Sequence, residues 1–191
     1  TSFNWNSRRL QQGITPQIAV EQFATVDGAL RVADAYDLMV FDGAPHSTQT
    51  TLQIAIKSHL VILPTGMSLD DLEPTIRLAH ELKQKGIPAA QMAIALCRVG
   101  DSSAEMQEAT DYIQATGYRL LDGAIPERTG YRRAIDTGRT LTETSYPSLN
   151  QKADDLIQAI VNTLEKLEKK ETSDGNHSQT NQRGTPARKQ A

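Results

Sequence analysis

Apolar residues in this chain fall into short unbroken runs, separated by longer stretches in which they recur every three or four positions. The unbroken runs are YDLMVF (Tyr36 to Phe41), HLVILPT (His59 to Thr65) and QMAIALC (Gln91 to Cys97). None shows the polar–apolar alternation of a half-exposed strand. Each therefore predicts a strand covered on both faces, as in a parallel sheet. YRLLDGAIP predicts a further strand ending near Pro126, and Ile18, Val20 and Phe23 predict a short alternating one. Helical spacing joins Val26, Leu30 and Ala33, and recurs in Thr50 to Ile56, in Ser68 to Gly86 and in Ser103 to Thr116. TGYRRAIDTG predicts a short helix closed by Gly138.

Local punctuation sharpens these boundaries. Ser68 with Asp71 has the spacing of a capping box. Proline is tolerated in a first helical turn, so Pro74 predicts that the regular helix begins near Asp71. Lys83 and Lys85 sit in the last turn before Gly86, where a helix dipole favours cations. Leu149, Ala153, Leu156, Ile160, Leu164 and Leu167 form one stripe, predicting a long helix over about 149–169 that docks on the core. From Lys170 to Ala191 almost nothing is apolar, which predicts a disordered polar tail.

Strand and helix alternate from Gln17 to Ala124. That order predicts an α/β domain over residues 1–169, three-layered, with a mostly parallel, doubly wound sheet. Ligands of such sheets bind beyond the carboxyl ends of the strands. Asp42, Pro64, Cys97 and Pro126 fall at or just past predicted strand ends and are candidates to line one site.

Composition changes this picture little. The chain has 191 residues, a length suited to one domain, and a formal net charge of −3. Its pI is about 5.8. Any nucleic-acid contact must therefore rest on a local patch rather than on bulk charge. A single cysteine excludes an internal disulfide and points to a reducing, cytoplasmic setting. No apolar run approaches the roughly 20 residues of a membrane span, and no signal-peptide pattern opens the chain. The four histidines are scattered without metal-ligand spacing.

Asp42 at the end of an apolar run has two readings: an aspartate that holds a magnesium-bound water, or one that starts a turn with Gly43. Cys97 has two as well, a base-contacting position or a small buried residue. Arg128, Arg132, Arg133 and Arg139 form the main basic cluster. Arginine forks suit phosphate recognition, whereas Glu127, Asp136 and Glu143 would balance a solvated helix face. Arg183, Arg188 and Lys189 add charge to the tail. No bulky apolar face continues past Leu167, which argues against a membrane-surface helix.

Three segments, in this order and spacing, resemble the ParA/MinD family of deviant Walker ATPases over roughly Thr1 to Leu167. The segment YDLMVFDGAPHSTQTTLQIAIKSHLVILPTGMSLDDL is similar to the family's strand ending in Asp-x-x-Pro, with the helix, strand and helix that follow. TSFNWNSRRL resembles the Ser, Trp and Arg that follow an Asp-Pro-Gln-Gly strand end in plasmid partition ParA proteins. Ser2, Trp5 and Arg8 or Arg9 carry that match. IPERTGYRRAIDTGRTLTE resembles the family's late Ile-Pro-x-Arg segment.

The resemblance implies a P-loop NTPase-like fold, incomplete at its N-terminus. In the intact parent it implies ATP and Mg²⁺ as cofactors and dimerisation on ATP. It further implies nucleoid-associated, non-specific DNA binding, and hydrolysis stimulated by a centromere-binding, ParB-like adaptor. The outcome is segregation of plasmid or chromosome copies, without membrane attachment. Asp42 becomes the catalytic and magnesium-associated residue. Asp42, Cys97, Pro126, Glu127 and Arg128 become nucleotide-binding positions, and Arg132, Arg133 and Arg139 DNA-binding ones. The glycine-rich phosphate loop and its lysine do not occur in this sequence. The expectation is therefore a truncated ATPase that binds ATP poorly alone and has an unpaired sheet edge. The alternatives are a non-catalytic, decayed ParA-like interaction module and, against the polar C-terminus, a MinD-type cell-division regulator.

Overall fold

The computed structural model describes residues 2–43 and 49–178. Three strands form one sheet in the order β1–β2–β3: β1 Val61–Thr65, β2 Met92–Val99 and β3 Arg119–Pro126. Both pairings are parallel. The sheet is reached through α3 (Gln49–Lys57), and its crossovers are α4 (Leu69–Gln84) and α5 (Ser103–Ala115). This is mixed α/β architecture with helices on both sheet faces, compatible with the doubly wound arrangement that the alternation predicts.

β2 shows why both faces are covered. Met92, Ile94 and Leu96 pack with Leu72, Ile76 and Leu82 of α4 and with Ile113 of α5. The intervening Ala93 and Ala95 pack instead with Leu156 of α7 (Pro147–Ser178). Large side chains face the crossover helices, and small ones let α7 come close. Gly123 in β3 extends this logic, because a Cβ there would stand 3.2 Å from the Leu156 backbone nitrogen. Its φ of 84° accompanies a register irregularity between Ile94 and Leu96 of the neighbouring strand.

Capping follows the local chemistry. The Ser68 hydroxyl accepts from the Asp71 N–H and caps α4, and Ser102 does the same for α5 through the Glu105 N–H. Gln91, just before β2, donates to the carbonyls of Ala55 (2.9 Å) and Ser58, satisfying the frayed end of α3. Tyr131 of α6 (Thr129–Asp136) donates to the Leu149 carbonyl at 2.7 Å and ties α6 to the start of α7.

The chain start is clamped to this end of the fold. α1 (Ser2–Gln11) lies against α6 and the turn after it. Arg9, only 1 % exposed, donates to both carboxylate oxygens of Glu143, at 2.7 and 3.0 Å. It also donates to the carbonyls of Pro16 and Gly138. Glu143 completes a capping box with Thr140. Gly138 has φ 76°, and a Cβ there would stand 2.4 Å from the Arg9 backbone nitrogen. Only glycine lets the two segments close.

Several expectations change. Residues 17–23 form no strand, and Ile18 and Phe23 are exposed. The same holds for Tyr36–Phe41: Leu38 is 62 % and Val40 81 % exposed. An apolar run becomes a strand only when a neighbouring backbone takes its N–H and C=O groups. Among the described residues, no backbone hydrogen bond joins this run to a strand. α2 is shorter than its periodicity implies, covering Val26–Leu30, with a separate 3-10 turn at Ala33–Ala35. α4 starts at Leu69 rather than near Asp71, so Pro74 lies past the first turn, inside the helix. α7 continues past Lys169 to Ser178, so the start of the expected tail is helical. Residues 179–191 lie outside the described residues, as do 44–48 of the Asp42 turn.

Glu143 is held well below the usual carboxylate range, at about 2 against 4.5, chiefly by the hydrogen bond from Arg9. Glu143→Gln should lower unfolding free energy by about 3 kcal/mol, because it leaves the Arg9 charge uncompensated. A depressed folded-state pKa makes the stabilisation full above 4.5, with loss as pH falls towards 2. Urea denaturation of both proteins across that range should show their stability difference shrinking with acidification. A pH-independent difference would refute the charge-pair account.

Candidate functional site

The carboxyl ends of the three strands open into a cleft of about 660 Å³. Its walls come from the β1–α4 connection (Gly66, Ser68), the first turn of α4 (Asp71), Arg98 in β2, Gly100 just after it and Glu127 after β3. Glu105 and Glu108 project from the first turns of α5.

The register of β2 shapes this cleft. Cys97 pairs with Ile125 and Val99 with Pro126, leaving Arg98 as an extra residue. Arg98 takes up that residue with φ 56°, a left-handed conformation that costs a non-glycine residue about 1–2 kcal/mol. Bulges of this kind re-aim side chains next to sites. Arg98 stays 69 % exposed in its side chain and stands 3.6 Å from the Asp71 carboxylate.

The α4 N-terminus is occupied by its own side chains. The Ser68 hydroxyl donates to Asp71 Oδ2 at 2.9 Å, and a Cβ on Gly66 would stand 2.2 Å from that same oxygen. The Asp71 carboxylate thus lies across Gly66 just before α4, at the helix end that would otherwise favour an anion. Asp71, Glu105, Glu108 and Glu127 set the sign of the cleft against one lining guanidinium, Arg98. Two ion pairs trim its edge: Arg128 with Asp101, and Arg132 with Glu127.

Of the positions named from sequence, the structure brings Glu127 into the cleft and places Pro126 and Arg128 beside it. Arg128 also donates to the Glu127 carbonyl at 2.9 Å. Cys97 packs with the cluster facing α7 rather than lining the cleft. Burial pushes its thiol pKa up, with Arg98 pulling the other way. Pro64 lies inside β1 rather than past its end. Asp42 is not at a strand end. Its carboxylate accepts from the Ser2 hydroxyl at 2.5 Å, on the α1 side of the molecule. The four strand-end candidates therefore do not line one site. Arg133 and Arg139 are exposed away from the cleft, at and beyond the end of α6.

Sequence reasoning missed Arg98, Glu105 and Glu108, and read Ser68 and Asp71 only as a cap. The available signal was positional: Ser68 and Asp71 follow directly on β1, where ligands of parallel sheets bind. Nothing in the sequence marks the bulge at Arg98.

The residues present do not fit the phosphates of ATP with magnesium. Phosphates require converging N–H donors and cations, and this cleft presents mainly carboxylates. Among the described residues, no group of three or more His, Cys, Asp or Glu is placed to hold a metal ion. No helix among them is long and apolar enough to cross a membrane. No protein-family model and no curated protein matches the chain.

Arg98→Gly tests the bulge. Removing the left-handed strain should raise unfolding free energy by about 0.5 kcal/mol, after loss of a weak exposed ion pair and the added chain entropy of glycine. A clear loss of stability in chemical denaturation would mean that the Asp71 pairing holds the cleft together.

Proposed function

We propose that this chain is the central and C-terminal part of a ParA-like partition ATPase, with a P-loop NTPase-like, doubly wound sheet. The observation that carries this reading is the clamp between its two most separated matching segments. Trp5 donates from Nε1 to the Arg139 carbonyl at 3.0 Å, and Arg9 grips Glu143. The Ser-Trp-Arg and Ile-Pro-x-Arg…Glu stretches thus pack as one unit, as parts of a single domain should. The parallel sheet with its cleft at the strand carboxyl ends supports the same reading.

In this proposal ATP and magnesium belong to the intact protein, whose phosphate loop is absent from this sequence. This chain contributes the C-terminal sheet half and the basic surface. Arg132 is committed to Glu127, so DNA contact falls mainly to Arg133 and Arg139. A ParB-like adaptor and an ATP-dependent homodimer complete the cycle that segregates DNA copies.

A second reading is a non-catalytic ParA-like interaction module. The acidic cleft and the Asp42–Ser2 hydrogen bond favour it.

Two measurements test these readings, and the second separates them. With magnesium present, the chain alone should bind ATP no more tightly than about 1 mM, or −4 kcal/mol. Micromolar binding would contradict the incompatibility of this cleft with phosphates. Duplex DNA of arbitrary sequence should bind weakly at low salt, with affinity falling steeply as salt rises. Arg133→Gln should reduce that salt slope by about one phosphate contact. DNA binding absent at low salt would favour the interaction module.

A further inference from the structure

A second cleft, of about 440 Å³, lies on the opposite flank, where α1 meets the end of α6 and the outer side of α7. Its volume falls within the roughly 300–1,000 Å³ of small-molecule sites. Trp5, Ile135, Leu141 and Ile157 supply its apolar walls, and Arg8 and Arg139 its charges. Unlike the strand-end cleft, it has no Asp or Glu in its lining.

The polar groups here are held in place. Trp5 is pinned through Nε1 to the Arg139 carbonyl, and the Arg9 guanidinium carbon stands 5.7 Å from its ring centroid. Arg8 donates from Nη2 to the Ile135 carbonyl at 3.3 Å. Its Nε is buried with no hydrogen-bond partner. Among the described residues, neither Arg8 nor Arg139 is paired with a carboxylate. Two nearby carboxylates touch lining residues: Glu143 is bound by Arg9 and the Thr140 N–H, and Asp42 accepts from the Ser2 hydroxyl.

A partly buried guanidinium without an opposite charge is costly, and an anion beside it lowers that cost. An indole and three branched aliphatic side chains favour a flat apolar body in the same ligand. Ile135 and Ile157, 41 % and 48 % exposed, would lose apolar surface to water only when such a body covers them. We propose that this cleft binds a small organic anion, a phosphate ester or carboxylate carrying a flat apolar group, between Trp5 and the guanidinium groups of Arg8 and Arg139. The site shares Arg139 with the DNA surface proposed above, but it uses neither the strand-end cleft nor a nucleotide-binding position.

Trp5 is the only tryptophan in the sequence, so its fluorescence reports occupancy directly. Phenyl phosphate should change Trp5 emission saturably, with heat released in parallel titration calorimetry. Benzyl alcohol and inorganic phosphate, each carrying half of the proposed chemistry, should bind at least about tenfold more weakly. Arg139→Gln should weaken phenyl phosphate about tenfold. That variant keeps the backbone carbonyl that Trp5 uses, and an unchanged urea midpoint confirms its fold. Arg8→Lys provides a second variant, retaining charge but losing the fork, and should weaken binding less than Arg139→Gln. The proposal is overturned if phenyl phosphate and benzyl alcohol bind alike, or if Arg139→Gln has no effect in a folded protein. It is equally overturned if inorganic phosphate binds as tightly as phenyl phosphate, which would leave the apolar walls without a role, whereas loss of duplex DNA binding alone would bear only on the partition reading.

Discussion

The ion pair between Arg9 and Glu143 is the interaction on which one whole end of this molecule depends. It joins residues 134 positions apart in the chain, so its loop-closure cost is large and must be met by strong local bonding. Arg9 is almost fully buried, and the fork-to-fork geometry satisfies both carboxylate oxygens. The remaining donor capacity of the guanidinium goes to the carbonyls of Pro16 and Gly138. Burial of a charge is tolerated here because every bonding direction is used. Gly138 makes the arrangement possible by leaving room for the Arg9 backbone.

From that clamp the two clefts take their contrasting characters. Glu143 absorbs the charge of Arg9, and among the described residues Arg8 and Arg139 on the α1 flank have no carboxylate within ion-pair distance. At the strand ends the opposite happens. Asp71 covers the start of α4, and Glu105, Glu108 and Glu127 add negative charge. The side that fold topology favours for ligands is thus unsuited to phosphates, while the flank between α1 and α7 is suited to an organic anion.

The sheet itself was largely legible in sequence. HLVILPT, QMAIALC and YRLLDGAIP predict β1, β2 and β3, and the lack of polar alternation in the first two implies the parallel pairing observed. α4, α5 and α6 follow from periodicity and caps. Tyr36–Phe41 has the same apolar signature yet forms no strand, because apolar composition supplies faces but not a bonding edge. Pro74 misled in the other direction: its helix tolerates a proline past the first turn, since Leu72, Ile76, Ala79 and Leu82 bury one continuous stripe around it.

The sequence by itself determined the elements whose information is local: the hydrophobic period, the cap at Ser68 and the turn glycine at Gly138. It also determined which residues could carry charge or bind an anion. Only the tertiary structure decided which of them meet. The Arg98 bulge arises from the mismatch of β2 with β3, and the Asp42–Ser2 and Arg9–Glu143 bonds from the docking of α1. Such contacts depend on the relative placement of segments far apart in the chain, which no local pattern of residues encodes.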